Sequence, residues 1–283
     1  MTQVNAPTDG VAVTAIGVAL IRERESRGPD RLYDDPFAAA FVDAARRDFA
    51  RTEEGSARWE RVVTLAEQFF AGRSVGVRLV DDRVSEAVAA GCRQVVLLGA
   101  GLDTRAYRMG LPGDVTVYEL DLPELFAFKE PVLGAVGATS TAQRHILPID
   151  LSTDWAVPLG ERGFRADLPT HWIDEGALPY LRPEDHLRAV ATLTALSAPG
   201  SRFGLSRFAI DPDAPPYAEL RRLVAGDSDA RTPPLDAGRP GEQWLVEHGW
   251  RTEFRAWDDM IVPLGRAVAV NNPNVGVVLA ERV

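Results

Sequence analysis

The chain has 283 residues, 46% hydrophobic and 25% charged, with a net charge of −10 at neutral pH. These are globular proportions with ample apolar material for a large core, and no run approaches the roughly 20 apolar residues that a membrane helix needs. The acidic surplus repels a phosphate backbone, so nucleic acid is not an expected partner.

Residues 1–10 are polar and have no basic stretch followed by an apolar run, so they do not read as a signal peptide. Cys92 is the only cysteine and Lys129 the only lysine. An intramolecular disulfide is impossible, which fits a reducing cytoplasm. The abundance of Ala, Gly, Pro and Arg matches coding in a GC-rich genome. Cys92 precedes an apolar run and reads as a small buried residue.

In chain order, 13–24 is mildly amphipathic and helical. At Asp34-Asp35-Pro36-Phe37 a second helix starts, with Asp35 as cap and Pro36 at its first position, running to about 49. Two more helices are expected over 57–71 and 75–90. The strand pattern then begins with Gln94-Val95-Val96-Leu97-Leu98, a short apolar run of the kind found in parallel strands covered on both faces. Further strands are expected at 115–120, 146–149, 170–173 and 202–207, with a helix at 183–196. The proline in the third favours a position with a free N–H side. Residues 211–216 and 232–240 read as loops, and 252–257 and 275–280 as late strands. Alternating helices and strands imply an α/β fold with a parallel, doubly wound sheet. One domain over 1–283 is expected: a helical cap over about 1–75 and a Rossmann-like core over about 76–283, with a substrate-loop insertion near 208–240.

The strongest motif is Leu98-Gly99-Ala100-Gly101-Leu102-Asp103-Thr104-Arg105, between a strand and a helix. Its two glycines allow a sharp turn and close approach of a ligand. Thr104 stands where a dinucleotide fingerprint has its third glycine, which favours a ligand without phosphates over a pyrophosphate; a tight strand-to-helix turn alone is the plain alternative. Glu119-Leu120-Asp121 ends the next strand. Asp121 lies about twenty residues past the glycines, the usual spacing of an acid that binds ribose hydroxyls; a cap for the next helix is its plain alternative. Asp150-Leu151 and Asp174-Glu175-Gly176 end the third and fourth strands. Four consecutive strands thus present Gly/Asp, Asp, Asp and Glu at one edge of the sheet, where ligands of such folds bind.

Thr14 to Ala19, Pro29 to Ala38, the run QVVLLGAGLDTRAYR at 94–108, Glu119-Leu120-Asp121-Leu122-Pro123 with Phe128-Lys129, Pro169 to Gly176 and Ala198 to Ser201 together resemble the leucine carboxyl methyltransferase-like family. That family includes bacterial O-methyltransferases and tetracenomycin-type polyketide carboxyl methyltransferases, enzymes of secondary metabolite biosynthesis. The resemblance covers about 12–205 and fades beyond Phe208. It implies a Rossmann-like class I methyltransferase with a mostly parallel seven-stranded sheet and an N-terminal helical cap. It also implies S-adenosyl-L-methionine as methyl donor and S-adenosyl-L-homocysteine as product. Arg73 would pair with the donor's carboxylate, Gly99 and Gly101 would line its methionine part, and Asp121 would bind the ribose. Asp150 and Leu151 would hold the adenine, and Glu175 would lie near the amino group. With the neighbouring Ala100, Asp103, Glu119, Leu122 and Gly176, these complete the expected cofactor set. The family usually follows Glu-Gly with two bulky apolar residues; here Ala177-Leu178-Pro179-Tyr180-Leu181 stands there and borders the expected acceptor pocket.

A sulfonium donor is already activated, so the protein chiefly positions the acceptor. A carboxylate, with a pKa of about 4, is ionised at neutral pH and needs no base; a phenol, near 10, usually does. No base constellation is evident, and the histidines and cysteine lack metal-ligand spacing. His171 and Tyr180 are the candidate catalytic residues, with a hydrogen-bonded residue inside the sheet and a packing aromatic as their plain alternatives; Arg22 and Arg207 are candidates for holding an acceptor carboxylate. The expected acceptor is a small-molecule or peptide carboxylate, with a hydroxyl or phenol as the alternative. A nicotinamide-dependent oxidoreductase and a non-catalytic binding protein are the competing classes.

Overall fold

A computed structural model, described here for residues 5–8, 10–207, 214–225 and 238–283, builds seven strands into one sheet. The strands are β1 (Gln94–Leu98), β2 (Thr116–Asp121), β3 (Gln143–Pro148), β4 (Thr170–Asp174), β5 (Arg202–Arg207), β6 (Trp250–Ala256) and β7 (Gly276–Arg282), in the order β3-β2-β1-β4-β5-β7-β6. β1 to β5 pair in parallel, whereas β7 runs antiparallel to both β5 and β6. The chain steps outward from β1 to β2 and β3, then returns to place β4 on the other side of β1. That reversal opens a crevice above the carboxyl ends of β1 and β4. Pro148 lies in the edge strand β3, where a missing N–H costs the sheet least.

All five β1 residues are buried because side chains alternate between two covered faces. Val95 and Leu97 pack with Val80 and Val84 of α3 (Glu53–Ala89), and with Ala106 of the single-turn α4 (Arg105–Arg108). Val96 and Leu98 join Trp155, Trp172 and Leu193 on the other face, which α7 (Pro183–Ala195) and α9 (Gly238–Glu247) cover. Burying each such large side chain contributes roughly 1.5–3 kcal/mol before entropy is charged.

A second cluster lies at the N-terminal side. Val13, Ile16 and Ala19 of α1 (Val13–Arg27) pack with Phe41 and Val42 of α2 (Ala38–Phe49), and with Val62 and Leu65 of α3. Phe128 of α5 (Pro123–Ala135) and Leu223 of α8 (Pro215–Ala225) close it.

Three local expectations differ. α3 is one helix of 37 residues rather than two, capped at Thr52, whose side chain accepts the Gly55 N–H at 2.9 Å. Gly72 and Gly76 each weaken a helix by about 1 kcal/mol. Packing at both ends, Val62 and Leu65 in the cap and Val80 and Val84 on the sheet, carries the helix through them. Second, α2 starts at Ala38, two residues late. Asp35 Oδ1 accepts only the Phe37 N–H, at 3.1 Å, while Oδ2 is held by Arg22 and Thr104. Third, Pro215 and Pro216 open α8, and 238–240 open α9. The remainder of the proposed loops and pocket segment, 208–213 and 226–237, lies outside the described residues.

Candidate functional site

The turn after β1 is built on backbone that side chains resist. Gly99 has φ 72° and Gly101 φ 49°, both left-handed. The N–H groups of Gly99 and Ala100 both donate to the Leu120 carbonyl at 2.9 Å, which fastens the turn to the end of β2. A Cβ added at Gly99 would overlap Ala177, and one at Gly101 would stand 3.3 Å from the Ala15 Cβ. The turn is therefore enclosed by the loop after β4 on one side and by α1 on the other. The Ala100 side chain packs inward on the sheet, leaving only its backbone at the edge.

Asp121 stands at the end of β2. Its Oδ2 accepts the Gly101 N–H at 2.5 Å and its Oδ1 the Leu122 N–H at 2.7 Å. Burial raises its pKa, against the lowering effect of those two N–H groups. Each oxygen keeps a second lone-pair direction for a hydroxyl donor. Asp150 is exposed beyond β3, with Oδ1 accepting the Ser152 N–H at 2.8 Å, and Leu151 is buried beneath it.

After β4, Asp174 Oδ1 accepts three N–H groups, from Gly176 at 3.1 Å, Ala177 at 2.7 Å and Leu178 at 3.1 Å. This fan, with Gly176 at φ 104°, sets the path of Glu175. Arg73, far away in sequence on α3, donates from Nη2 to the Glu175 carbonyl at 2.5 Å. A further arginine, Arg105, forms an ion pair with the Glu175 carboxylate.

Asp103 has both oxygens committed. Oδ1 accepts the Arg105 N–H at 2.7 Å, and Oδ2 meets the Arg105 guanidinium at 2.5 Å. Burial alone would raise its pKa, but Arg105, then Lys129, Arg22 and Arg108, hold it down at about 2. The helix that follows, α4, is only four residues long.

Glu119 is not at the edge as expected. It is fully buried, 2.6 Å from Lys129 Nζ and 2.7 Å from Arg144 Nη2, so its carboxylate is spent within the protein. Glu119 and Asp121 lie on the same face of β2, so alternation does not separate them; Glu119 is one step deeper, where α5 brings in Lys129, the chain's one lysine.

His171 is likewise away from the edge. It is the second residue of β4, paired across the sheet with Val95 and Arg202, and 3% exposed. Burial, reinforced by Arg83, lowers its pKa to about 3, so it stays neutral at physiological pH. Tyr180 ends a 3-10 turn, Leu178–Tyr180, at the surface. Burial of its hydroxyl raises its pKa, with Arg73 opposing and Tyr217 adding. Tyr217 of α8, which packs edge-on against Phe69 at 5.1 Å, is shifted in the same direction by burial. Arg22 is buried against Asp35 at 3.1 Å and donates to the Leu102 carbonyl at 2.6 Å. Arg207 lies 4.6 Å over the Phe254 ring and 3.5 Å from Glu242.

The edge above β1, β2 and β4 thus gathers Arg73, Gly99, Gly101, Asp121, Leu122, Glu175 and Gly176, with Asp150 further out along β3. A model of the family described as leucine carboxyl methyltransferase matches residues 15–194. The chain belongs to that family. Relatives span this family member almost end to end. One, from Frankia alni, named "Putative S-adenosyl-L-methionine-dependent methyltransferase", is 37% identical over 93% of this chain and 91% of its own. Another so named, from Saccharopolyspora erythraea, is 38% identical over 94% and 92%. A crystal structure titled as a "putative methyltransferase" from Thermobifida fusca superposes with a TM-score of 0.54 at 21% identity, over 97% of this chain and 95% of that one, and supports the fold.

Sequence reasoning gave no role to Arg105, Asp81 or the Asp35–Thr104 hydrogen bond of 2.8 Å. The signal available for the first two was modest: an acid inside a long helix, and arginines three apart in the glycine-turn motif.

Proposed function

We propose that this protein is an S-adenosyl-L-methionine-dependent O-methyltransferase that acts on a carboxylate of a small molecule or peptide. The observation that carries the donor is the arrangement at the sheet edge: Asp121, tied to the Gly101 and Leu122 N–H groups, stands beside the glycine turn, with Glu175 and Arg73 across from it. That arrangement suits a ligand bearing ribose hydroxyls and an amino-acid end. In this reading Asp121 receives the ribose hydroxyls, and Asp150 with Leu151 flanks the adenine. The backbone of Gly99, Ala100, Gly101 and Leu122 lines the wall. Glu175 and Gly176 face the amino group, and Arg73 faces the carboxylate. When bound, S-adenosylmethionine supplies a methyl group on a sulfonium that departs as a neutral thioether, leaving S-adenosylhomocysteine.

The carboxylate preference rests on the titrating groups. His171 is neutral and lies inside the sheet, and Tyr180 and Tyr217 are held in their protonated forms. Among the described residues these leave an acceptor that arrives already ionised as the simplest partner. No proton then has to move, because the acceptor oxygen enters as an anion and leaves as an ester. The Tyr180 and Tyr217 hydroxyls supply donors for it. Methyl transfer to a panel of carboxylic acids and phenols, followed by mild alkaline hydrolysis, tests this. Base-labile methyl esters and a kcat flat from about pH 6 to 8 are expected. Alkali-stable ethers, with a rate limb near pH 6.5 that vanishes in His171→Asn, would overturn it.

A further inference from the structure

We infer that Arg105 is a positioning residue for the donor's ammonium end, acting through Glu175. The inference rests on the donor site proposed above. Arg105 is 4% exposed in its side chain, and every nitrogen of its guanidinium is used. Nε reaches Asp81 of α3 at 2.7 Å, Nη1 reaches Asp103 of the glycine turn at 2.5 Å and also Glu175 Oε1 after β4, and Nη2 donates to the Val77 carbonyl at 3.3 Å. Asp81 is in turn gripped at 2.7 Å on each oxygen by Arg108. One cation thus ties together three carboxylates from three separate elements.

The consequence falls on Glu175. Its main chain is fixed by Arg73 and its buried Oε1 is held by the Arg105 ion pair without a hydrogen bond, while no protein group among the described residues bonds Oε2. The carboxylate is therefore held with one oxygen directed to the protein and one left for a ligand. Three carboxylates, Asp81, Asp103 and Glu175, meet the guanidiniums of Arg105 and Arg108, and the buried Arg83 also faces Glu175. A ligand N–H₃⁺ group matches the carboxylate oxygen that this network leaves over. A lysine cannot replace the fork, because its single ammonium cannot span Asp81, Asp103 and Glu175 at once.

Calorimetric titration separates this from a purely structural role. Two probes are used: S-adenosylhomocysteine, which has the amino-acid end, and 5′-deoxy-5′-methylthioadenosine, which lacks it. Arg105→Lys is expected to weaken the first at least about tenfold and the second by less than about twofold. In a Glu175→Gln background, Arg105→Lys is expected to add less than about twofold, because the two residues act as one unit. If Arg105→Lys does not fold, Asp103→Asn, which keeps Arg105 but removes one of its anchors, is read the same way. Equal losses for both probes, or full additivity with Glu175→Gln, overturn the inference while leaving the donor site intact. Failure of the unaltered protein to bind S-adenosylhomocysteine overturns the donor site itself.

Discussion

Asp121 shows how one side chain can serve the fold and the site together. Its carboxylate orders the glycine turn through the Gly101 N–H and the start of α5 through the Leu122 N–H. Both bonds leave acceptor capacity facing the crevice. Asp121→Ala is therefore expected to weaken S-adenosylhomocysteine by at least about tenfold, the lost hydrogen bonds being worth on the order of 1–3 kcal/mol. Unchanged affinity in a folded variant, measured by titration calorimetry, would remove Asp121 from the ribose. At this scale the sequence was a good guide wherever a residue ends a strand. Gly99, Gly101, Asp121, Asp150 and Glu175 all stand where the strand–turn pattern put them. It was a poor guide to Glu119, whose distant partners Lys129 and Arg144 no local pattern announces. His171 lies inside β4, as the plain reading of its place in the expected strand has it.

Among the elements, α1 does more than cover the sheet. Arg22 of α1, Asp35 of the next turn and Thr104 of the glycine turn form one buried chain of contacts, 3.1 Å and 2.8 Å long at its two steps. Thr104, which replaces the third glycine of a dinucleotide fingerprint, thereby anchors the N-terminal helices to the site. Asp35→Ala would leave the Arg22 guanidinium buried without its carboxylate. A loss of about 3–5 kcal/mol in unfolding free energy is expected, as for other broken buried pairs. Urea denaturation checks this; a loss under about 0.5 kcal/mol would mean that the pair does not bind α1 to the turn. The same element scale explains the misread helix boundaries. Gly72 and Gly76 look like breaks locally, but α3 is fixed by what it touches at either end, which a propensity reading does not contain.

For the whole molecule, the alternation of strands and helices is enough to specify a parallel sheet and the edge where the site lies. The order of strands follows from handed crossovers and short connections. The antiparallel insertion of β7 between β5 and β6 was not legible, since pairing across the end of a sheet leaves no periodic trace. The acceptor was equally hidden, because no strand-end motif speaks to it. The strand-end site proposed for the donor joins these scales. Titration of the purified protein with S-adenosylhomocysteine and, in parallel, with NADH tests this most directly. Saturable binding of S-adenosylhomocysteine at one site per chain, with none of NADH, is the expected result. Saturable NADH binding with no response to S-adenosylhomocysteine would contradict the donor assignment.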